Sequence, residues 1–488
     1  MKKNICRLSV LLLCAITLYA NSWKNALNED CDYLSKVISE GWVCYDEAVE
    51  NGFDLDKSIK NIKKLYSKQV KHITANFNDK LNYKNGLETY SLLNLIQGII
   101  FEQINFNDGH YKMYNENTTF AHWNTQAFFS KLFFEKKGEK YFVYYSDNPQ
   151  IKKGMEYTGN LIDLVPVIYN NEKLFRFVHF SDEKRNQVNT EVNVESRLIP
   201  VRLEKDNCIK MNDSIFLKET SSTVYICINT FEIDDKELNN QFSDLQKQIS
   251  TIDFTNKDLV INLRNNLGGY ENFVKEFIKN LILATMKVSP LDVQLYINET
   301  EKGIVSLMSP LLSEQVYLQY MQLSDSISEY LIDQVKNRYF ELKENPRRYY
   351  IDYDSVVSKK VTENNSSINK VYVLMNNDTI SAAELVIALS YIFGQDKVCL
   401  LGNNSRGSLD YGSVFKYELP NSGIKIILPS NSNKKCNYLS KNPNWHGDTK
   451  GFYPDYWATN ENILDTLVYL TKDEELRTVL ADLDKGIQ

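Results

Sequence analysis

The segment "NNDTISAAE", residues 376–384, places a hydroxyl group where a predicted apolar strand gives way to a predicted helix. Asp378 or Thr379 can cap that helix, which relieves Ser381 of a capping duty. A helix N-terminus stabilises developing negative charge by about 0.3 to 1 kcal/mol, and the N–H of Ala382 is suited to donate to an oxyanion. The residues therefore predict two alternative roles for Ser381, a helix cap or a nucleophile.

A pair of glycines in "LVINLRNNLGGY", residues 259–270, could serve the same chemistry. Gly268 and Gly269 follow a continuous apolar strand, and glycine lets the backbone come close to a ligand with its N–H groups turned toward it. An oxyanion site requires such donors. Because a strand-to-helix turn also needs glycine for its shape alone, both interpretations stay open.

Histidine is the side chain best suited to take the proton of a serine near neutral pH. The choice is limited to five residues: His72, His110, His122, His179 and His446.

The elements that must position these groups are predicted from about residue 216 onward. Apolar strands alternate there with amphipathic helices near 236–250 and 270–284, which predicts a parallel or mixed sheet covered by helices. In such a sheet, ligands bind where strands end and helices begin. Upstream, residues 21 to about 105 show helical periodicity, and residues 111–215 contain short runs of Tyr, Phe and Val that predict strands.

Composition narrows the class of protein without naming a ligand. With 488 residues, 43% of them hydrophobic, the chain can bury a sizeable core and form two or three domains. The net charge of -7 and the lack of a Lys/Arg run argue against a nucleic acid partner. Six cysteines follow Ala20, none in the CxxC spacing of a zinc or thioredoxin-like site. Cys31 and Cys44 have two possible states, a disulfide in an oxidising compartment or buried free thiols.

The first twenty residues have the pattern of an export signal. Lys2 and Lys3 precede an apolar stretch from Leu8 to Tyr19, and the small residue Ala20 stands before polar sequence. The apolar stretch is short for a membrane span. We therefore expect an exported protein, periplasmic or extracellular, with no integral membrane domain after cleavage. Lipid anchoring and an uncleaved amphipathic anchor are the alternatives.

Five segments between residues 223 and 457 form an ordered set: "LVINLRNNLGGY", "NNDTISAAE", "VCLLGNNSRGSLDYG", "ELPNSGIKIILP" and "KGFYPDYW". In that order they are similar to the motifs DLRxNxGG, NxxTxSAAE, VxGExTxG, LPNSGxxxxLP and GVxPDxxV of the carboxy-terminal-processing, or tail-specific, serine peptidases. The chain thus resembles that family. The resemblance implies an α/β catalytic domain with a crotonase-like (ClpP/crotonase) fold of stacked strand-strand-helix units.

The resemblance also implies roles for single residues. Ser381 matches the nucleophile of the family, and the N–H groups of Gly268, Gly269 and Ala382 match its oxyanion hole. Members with a Ser-Lys pair carry lysine directly after the glycine turn of "TxGKG", where this chain has Ser408. The base must therefore come from elsewhere.

The tricorn-core-like branch of the family uses a histidine in an N-terminal "DGH", which this chain has at residues 108–110. The resemblance therefore implies His110 as the general base. It implies Asp448 as the acid of that branch, where many relatives carry glutamate. His446 is the rival base because it lies near Asp448 in sequence, and capping of a turn is the alternative role of Asp448.

The expected organisation is a signal peptide over 1–20, a helical domain over 21–105, a mostly β region over 106–215 and the catalytic domain over 216–488, with a helical insertion near 285–366. The segment "IKKGMEYTGNLIDLVPVIYN" is loosely similar to part of a PDZ domain. A degenerate PDZ-like fold is therefore one interpretation of the β region.

The predicted function is hydrolysis of peptide bonds in extended protein segments or C-terminal tails, through an acyl-enzyme on Ser381. The expected partner is a protein or peptide substrate, and we expect no cofactor and no metal. The alternative is a catalytically inactive relative that binds a peptide or another ligand. A histidine base predicts activity that rises through an apparent pKa near 6.5, shifted by about one unit by its surroundings.

Overall fold

The computed structural model describes residues 23–73, 83–84, 87–104, 108–122, 124–182, 185–206, 214–233, 235–322, 329–344, 349–352 and 366–480. The predicted signal peptide lies outside these residues. The chain forms two compact units, each from three separate parts of the sequence. Unit 1 is Met1–His122, Ile304–Asp352 and Tyr411–Ser432, and unit 2 is Trp123–Gly303, Tyr353–Asp410 and Asn433–Gln488. The linear domain boundaries stay a prediction.

The N-terminal part of unit 1 is helical, as the periodicity predicts. Its first helix spans residues 23–41. The other helices of the unit are Tyr45–Glu50, Leu55–Ile73, Thr89–Ile96, Pro310–Gln322 and Glu329–Glu344. The carboxylate of Glu88 caps the fourth of these six helices by accepting the backbone N–H of Tyr90 and Ser91. A π-helical turn, Gln97–Phe101, continues the same helix.

An antiparallel sheet completes unit 1. In spatial order its strands are Tyr349–Asp352, Val305–Met308, Lys425–Ser432, Lys112–Tyr114 and Thr119–Ala121, and Tyr411–Glu418 pairs with Lys425–Ser432. A separate short hairpin joins Tyr83–Lys84 to Leu87–Glu88. One core contains side chains from the helices, such as Leu34 and Val37, and from the sheet, such as Tyr417 and Ile426. Distant parts of the sequence therefore bury each other's apolar surface.

Unit 2 contains a six-stranded antiparallel sheet built from the predicted strand region. Its spatial order is Leu164–Tyr169, Glu172–Ser181, Gln126–Lys137, Arg197–Lys205 and Gln187–Val194, and Lys140–Ser146 pairs with Gln126–Lys137. The core on one face includes Phe128, Phe134, Val143 and Phe177. A 3-10 turn, Leu161–Asp163, directly precedes the strand Leu164–Tyr169.

The second sheet of unit 2 is mixed. Its order is Ile215–Glu219, Thr223–Ile228, Asp258–Asn262, Val371–Met375, Val398–Gly402 and Tyr456–Trp457, with only the first pair antiparallel. Three central strands are buried at every residue, as expected for a sheet covered on both faces. This confirms the predicted mixed α/β class and its alternation of strands and helices.

The helices of unit 2 are Lys236–Thr251, Glu271–Thr285, Pro290–Thr300, Ala382–Ser390, Asn437–Ser440, Ile463–Thr471 and Glu475–Leu480, and a 3-10 turn spans Tyr391–Phe393. Among the helices that the structure describes, none is both long and apolar enough to cross a membrane. Cys31 and Cys44 are buried thiols that are not joined by a disulfide, which selects the second of their two predicted states.

Candidate active site

Ser381 stands between the buried strand Val371–Met375 and the helix Ala382–Ser390, at the end of a turn over residues 376–381 that we call the nucleophile turn. Its backbone has φ 57° and ψ -117°. A positive φ in a non-glycine residue costs about 1 to 3 kcal/mol and persists only where the surroundings fix it, as at active sites. A strained strand-to-helix turn also exposes the nucleophilic serine of α/β-hydrolases.

The expected helix cap at Asp378 or Thr379 is wrong. The helix begins at Ala382, so Ser381 itself occupies the N-cap position. The hydroxyl of Thr379 instead donates to the carbonyl of Leu263, 3.0 Å away in another segment. Ser381, the predicted nucleophile, is therefore also the N-cap residue of this helix.

A second turn, residues 263–270, holds the nucleophile turn in place, and we call it the glycine turn. The N–H of Ile380 donates to the carbonyl of Asn266 at 3.0 Å. Asn265 and Asn376 are paired reciprocally, because the backbone N–H of Asn265 donates to Asn376 Oδ1 and Asn376 Nδ2 donates to Asn265 Oδ1. The two junctions singled out in the sequence thus form one structure.

Gly268 lies directly against Ser381. A Cβ at this position would be 3.0 Å from Ser381 Cβ, 2.9 Å from the carbonyl oxygen of Ile380 and 3.3 Å from the backbone nitrogen of Ala382. The φ of Gly268 is 89°, which favours glycine. Its N–H donates to Asn266 Oδ1 at 2.9 Å, so an oxyanion would have to share or replace that acceptor.

Gly269 has a packing role of its own. A Cβ there would lie 2.0 Å from the carbonyl carbon of Phe231, because residue 231 pairs with this turn through two backbone hydrogen bonds. Ala382 occupies the first helical position, where a backbone N–H has no acceptor within the helix. Its N–H is therefore the better placed of the predicted oxyanion donors.

Glu384 is a member of the site that sequence reasoning missed. Its carboxylate is fully buried and accepts the backbone N–H of Ser381 at 2.9 Å. It also accepts three donors from the segment 405–408, which includes Ser408. Burial raises the pKa of Glu384 to about 7, against the lowering effect of these hydrogen bonds. Two sequence signals were available: Glu384 is the last residue of "NNDTISAAE", which matches the motif NxxTxSAAE, and it stands three residues after the N-cap serine, as in a capping box.

Asp448 is buried and binds the turn that follows residue 408. Its Oδ1 accepts the backbone N–H of Leu409 and of Asp410, both at 2.7 Å. Asp410 in turn accepts the N–H of Asp448 and the indole N–H of Trp445. Capping of a turn, the alternative role named for Asp448, is therefore present.

His110 lies in unit 1, two residues before the strand Lys112–Tyr114. Its backbone N–H donates to Asp108 Oδ1 at 2.8 Å, and its Nδ1 lies 3.9 Å from the same oxygen. The imidazole is 13% exposed. Burial lowers the pKa of His110 to about 4, and the hydrogen bond to the backbone of Tyr411 opposes this shift. The imidazole is thus neutral at pH 7, as a general base requires.

His446, the rival base, lies in unit 2. Its ring lies tilted by 33° against that of Tyr453, with centroids 4.0 Å apart, and its backbone N–H donates to the carbonyl of Gly451. Burial, followed by the charge of Lys450, lowers the pKa of His446.

Residues 222–456 match the model of peptidase family S41, and this span contains the glycine turn, the nucleophile turn and Asp448. The match identifies the chain as a serine-type peptidase. The matched region, residues 222–456, has the pattern of peptidase family S41, and this confirms the predicted resemblance to the C-terminal-processing peptidases.

Solved structures match the chain at low identity and with TM-scores below 0.5. Mature CPAF complexed with lactacystin has 12% identity and a TM-score of 0.38, covering 95% of this chain and 99% of that chain. The photosystem II D1 C-terminal processing protease has 12% identity and a TM-score of 0.34, covering 93% and 98%. A lipoprotein from Streptococcus agalactiae has 13% identity and a TM-score of 0.28, covering 54% and 70%. No curated protein matches the chain. The assignment rests on the family match.

Proposed function

We propose that this peptidase is an exported endopeptidase that cleaves extended protein segments or C-terminal tails, with Ser381 as its nucleophile. The observation that carries the assignment is the backbone of Ser381, which is held at φ 57° against Gly268 at the start of a helix. This turn lies inside the region that matches the family. The tail-specific motifs support the substrate class, and the mixed sheet with its helices supports a crotonase-like fold.

The proposed mechanism has two stages. His110 takes the proton of the Ser381 hydroxyl, and the oxygen attacks the scissile carbonyl carbon. The N–H of Ala382, with that of Gly268 once it turns from Asn266, stabilises the tetrahedral oxyanion. Collapse breaks the C–N bond, and the leaving amine takes the proton from His110.

In the second stage, water gives a proton to His110 and attacks the carbonyl carbon of the acyl-enzyme. The ester C–O bond then breaks, which releases the acid, and Ser381 Oγ takes the proton back from His110. Asp448 stabilises the protonated imidazole in this proposal. The test for its role is Asp448→Asn, which should lower turnover if a carboxylate charge is needed.

Covalent labelling tests the nucleophile directly. A fluorophosphonate probe should label the wild-type chain and not Ser381→Ala. The matched control is Ser390→Ala on the same helix, whose hydroxyl donates to the carbonyl of Val386, and it should label as the wild type does. Wild-type protein that is folded and unlabelled would refute the proposed function.

Export is proposed from the basic, apolar and small-residue order of residues 1–20. Mass spectrometry of the mature N-terminus tests it, because cleavage after Ala20 leaves Asn21 as the first residue, whereas an intact Met1 would contradict cleavage.

A further inference from the structure

We propose that Glu384 is a positioning residue for the nucleophile: its buried carboxylate joins the backbone of Ser381 to the segment 405–408 and so fixes the direction in which the serine hydroxyl points. This inference rests on the proposed role of Ser381. The Glu384 side chain is fully buried, so it acts through Ser381.

The four contacts are divided evenly between the two carboxylate oxygens. Oε2 accepts the backbone N–H of Ser381 at 2.9 Å and of Ser408 at 2.8 Å. Oε1 accepts the hydroxyl of Ser405 at 2.6 Å and the backbone N–H of Gly407 at 2.7 Å. An ionised carboxylate is the side chain with the acceptor capacity for four donors at once.

These contacts exceed what a helix cap needs. A capping box uses one bond from the glutamate to the N-cap N–H, which the bond to Ser381 already supplies. The other three donors come from a segment 21 to 24 residues further along the chain. The carboxylate therefore joins a second loop, residues 405–408, to Ser381, in addition to capping the start of the helix.

The second loop is itself fixed on its other side. The N–H of Arg406 donates to the carbonyl of Thr379 at 2.9 Å, and the hydroxyl of Ser405 accepts the N–H of Phe452 at 2.7 Å. Glu384 thus closes a ring of bonds around the strained residue Ser381. A displacement of a reacting group by about 1 Å can cost about 100-fold in rate. Loss of the hydrogen bonds of Glu384 should therefore slow the chemical step.

Glu384→Gln is the decisive variant. It keeps the size of the side chain but replaces one acceptor oxygen with an NH2 donor, so two of the four donors lose their acceptor. We expect kcat and the rate constant of fluorophosphonate labelling to fall together by about 100-fold, with KM changed less than threefold, because the substrate-binding surface is untouched.

Two comparisons separate positioning from stability. Asp473 is another buried carboxylate of unit 2, which accepts the hydroxyls of Thr220 and Ser222, and Asp473→Asn should lower Tm while leaving the labelling rate of the folded protein unchanged. Glu384→Asp keeps the charge and all acceptor sites but is shorter, so it should label faster than Glu384→Gln.

The outcomes are distinct. Unchanged labelling in folded Glu384→Gln would overturn the inference, as would a Glu384→Asp variant that labels more slowly than Glu384→Gln. Absence of labelling in the folded wild type would overturn the proposed function instead.

Discussion

Two buried ionisable residues have pKa values shifted in opposite directions, and each shift follows from burial of a charge. Burial lowers the pKa of His110 to about 4 because protonation would create a buried cation. Burial raises the pKa of Glu384 to about 7 because ionisation creates a buried anion. The sequence alone predicts that the activity of an enzyme with a histidine base rises through an apparent pKa near 6.5. Burial of His110 lowers the expected pKa to about 4.

The pH profile of kcat/KM tests whether the ionisation of His110 or of Glu384 limits activity at low pH. If His110 is the base, it works only in its neutral form, so kcat/KM should rise as the pH passes about 4. If the ionised form of Glu384 positions the serine, a second rise should appear near pH 7. The groups bonded to Glu384 are backbone N–H groups and a serine hydroxyl, and Arg406 is the charged side chain of that segment.

Glu384→Gln should remove the rise near pH 7 and keep the one near pH 4, and His110→Ala should abolish turnover at every pH measured. A wild-type profile that rises only near pH 4 would show that ionisation of Glu384 is not required. Wild-type rates in His110→Ala would exclude it as the base.

At the scale of elements, the glycine turn offers a matched pair of variants. Gly268→Ala brings a methyl group to 3.0 Å from Ser381 Cβ and disturbs a proposed oxyanion donor, so kcat should fall by about 100-fold with a smaller loss of Tm. Gly269→Ala places its methyl 2.0 Å from a backbone carbon of Phe231, which cannot be relieved by a rotamer change. It should lower Tm and activity together.

Steady-state rates and thermal melts of the two variants provide the comparison. Equal losses of Tm in both variants would mean that Gly268, like Gly269, only shapes the turn.

The strands and helices of unit 2 were predictable from sequence because their apolar periodicity is local. The helices predicted near 236–250 and 270–284 span Lys236–Thr251 and Glu271–Thr285. The positive φ of Ser381 was not predictable, because it depends on the glycine turn more than 100 residues earlier. The four bonds of Glu384 escaped prediction for the same reason. Periodicity shows which face of an element is apolar and not which distant segment covers it.

At the scale of the whole molecule, the N-terminal helices supply part of the core of unit 1. The N–H of Val43 donates to the carbonyl of Pro429, and the carboxylate of Asp30 accepts the backbone N–H of Asn421 and Ser422. A chain that begins at residue 108 keeps His110 but lacks these helices. Each large apolar side chain thereby uncovered costs about 1.5 to 3 kcal/mol.

We expect the chain that begins at residue 108 to bind a hydrophobic dye strongly and to aggregate, whereas a chain that begins at residue 23 should stay monodisperse by light scattering. A soluble, cooperatively melting protein from residue 108 would contradict the shared core.

Because unit 1 is built from three separate parts of the sequence, its sheet can form only late during synthesis. The strand Lys112–Tyr114 pairs with Lys425–Ser432, so the sheet cannot close until the ribosome has passed residue 432. At about 5 to 20 residues per second, the earlier strand waits about 15 to 60 s for its partner. During that interval the nascent chain carries an unsatisfied strand edge, which is a substrate for chaperones that hold chains unfolded. A polypeptide destined to cross a membrane before it folds would gain from such a delay, because translocation requires the loose state that late closure preserves.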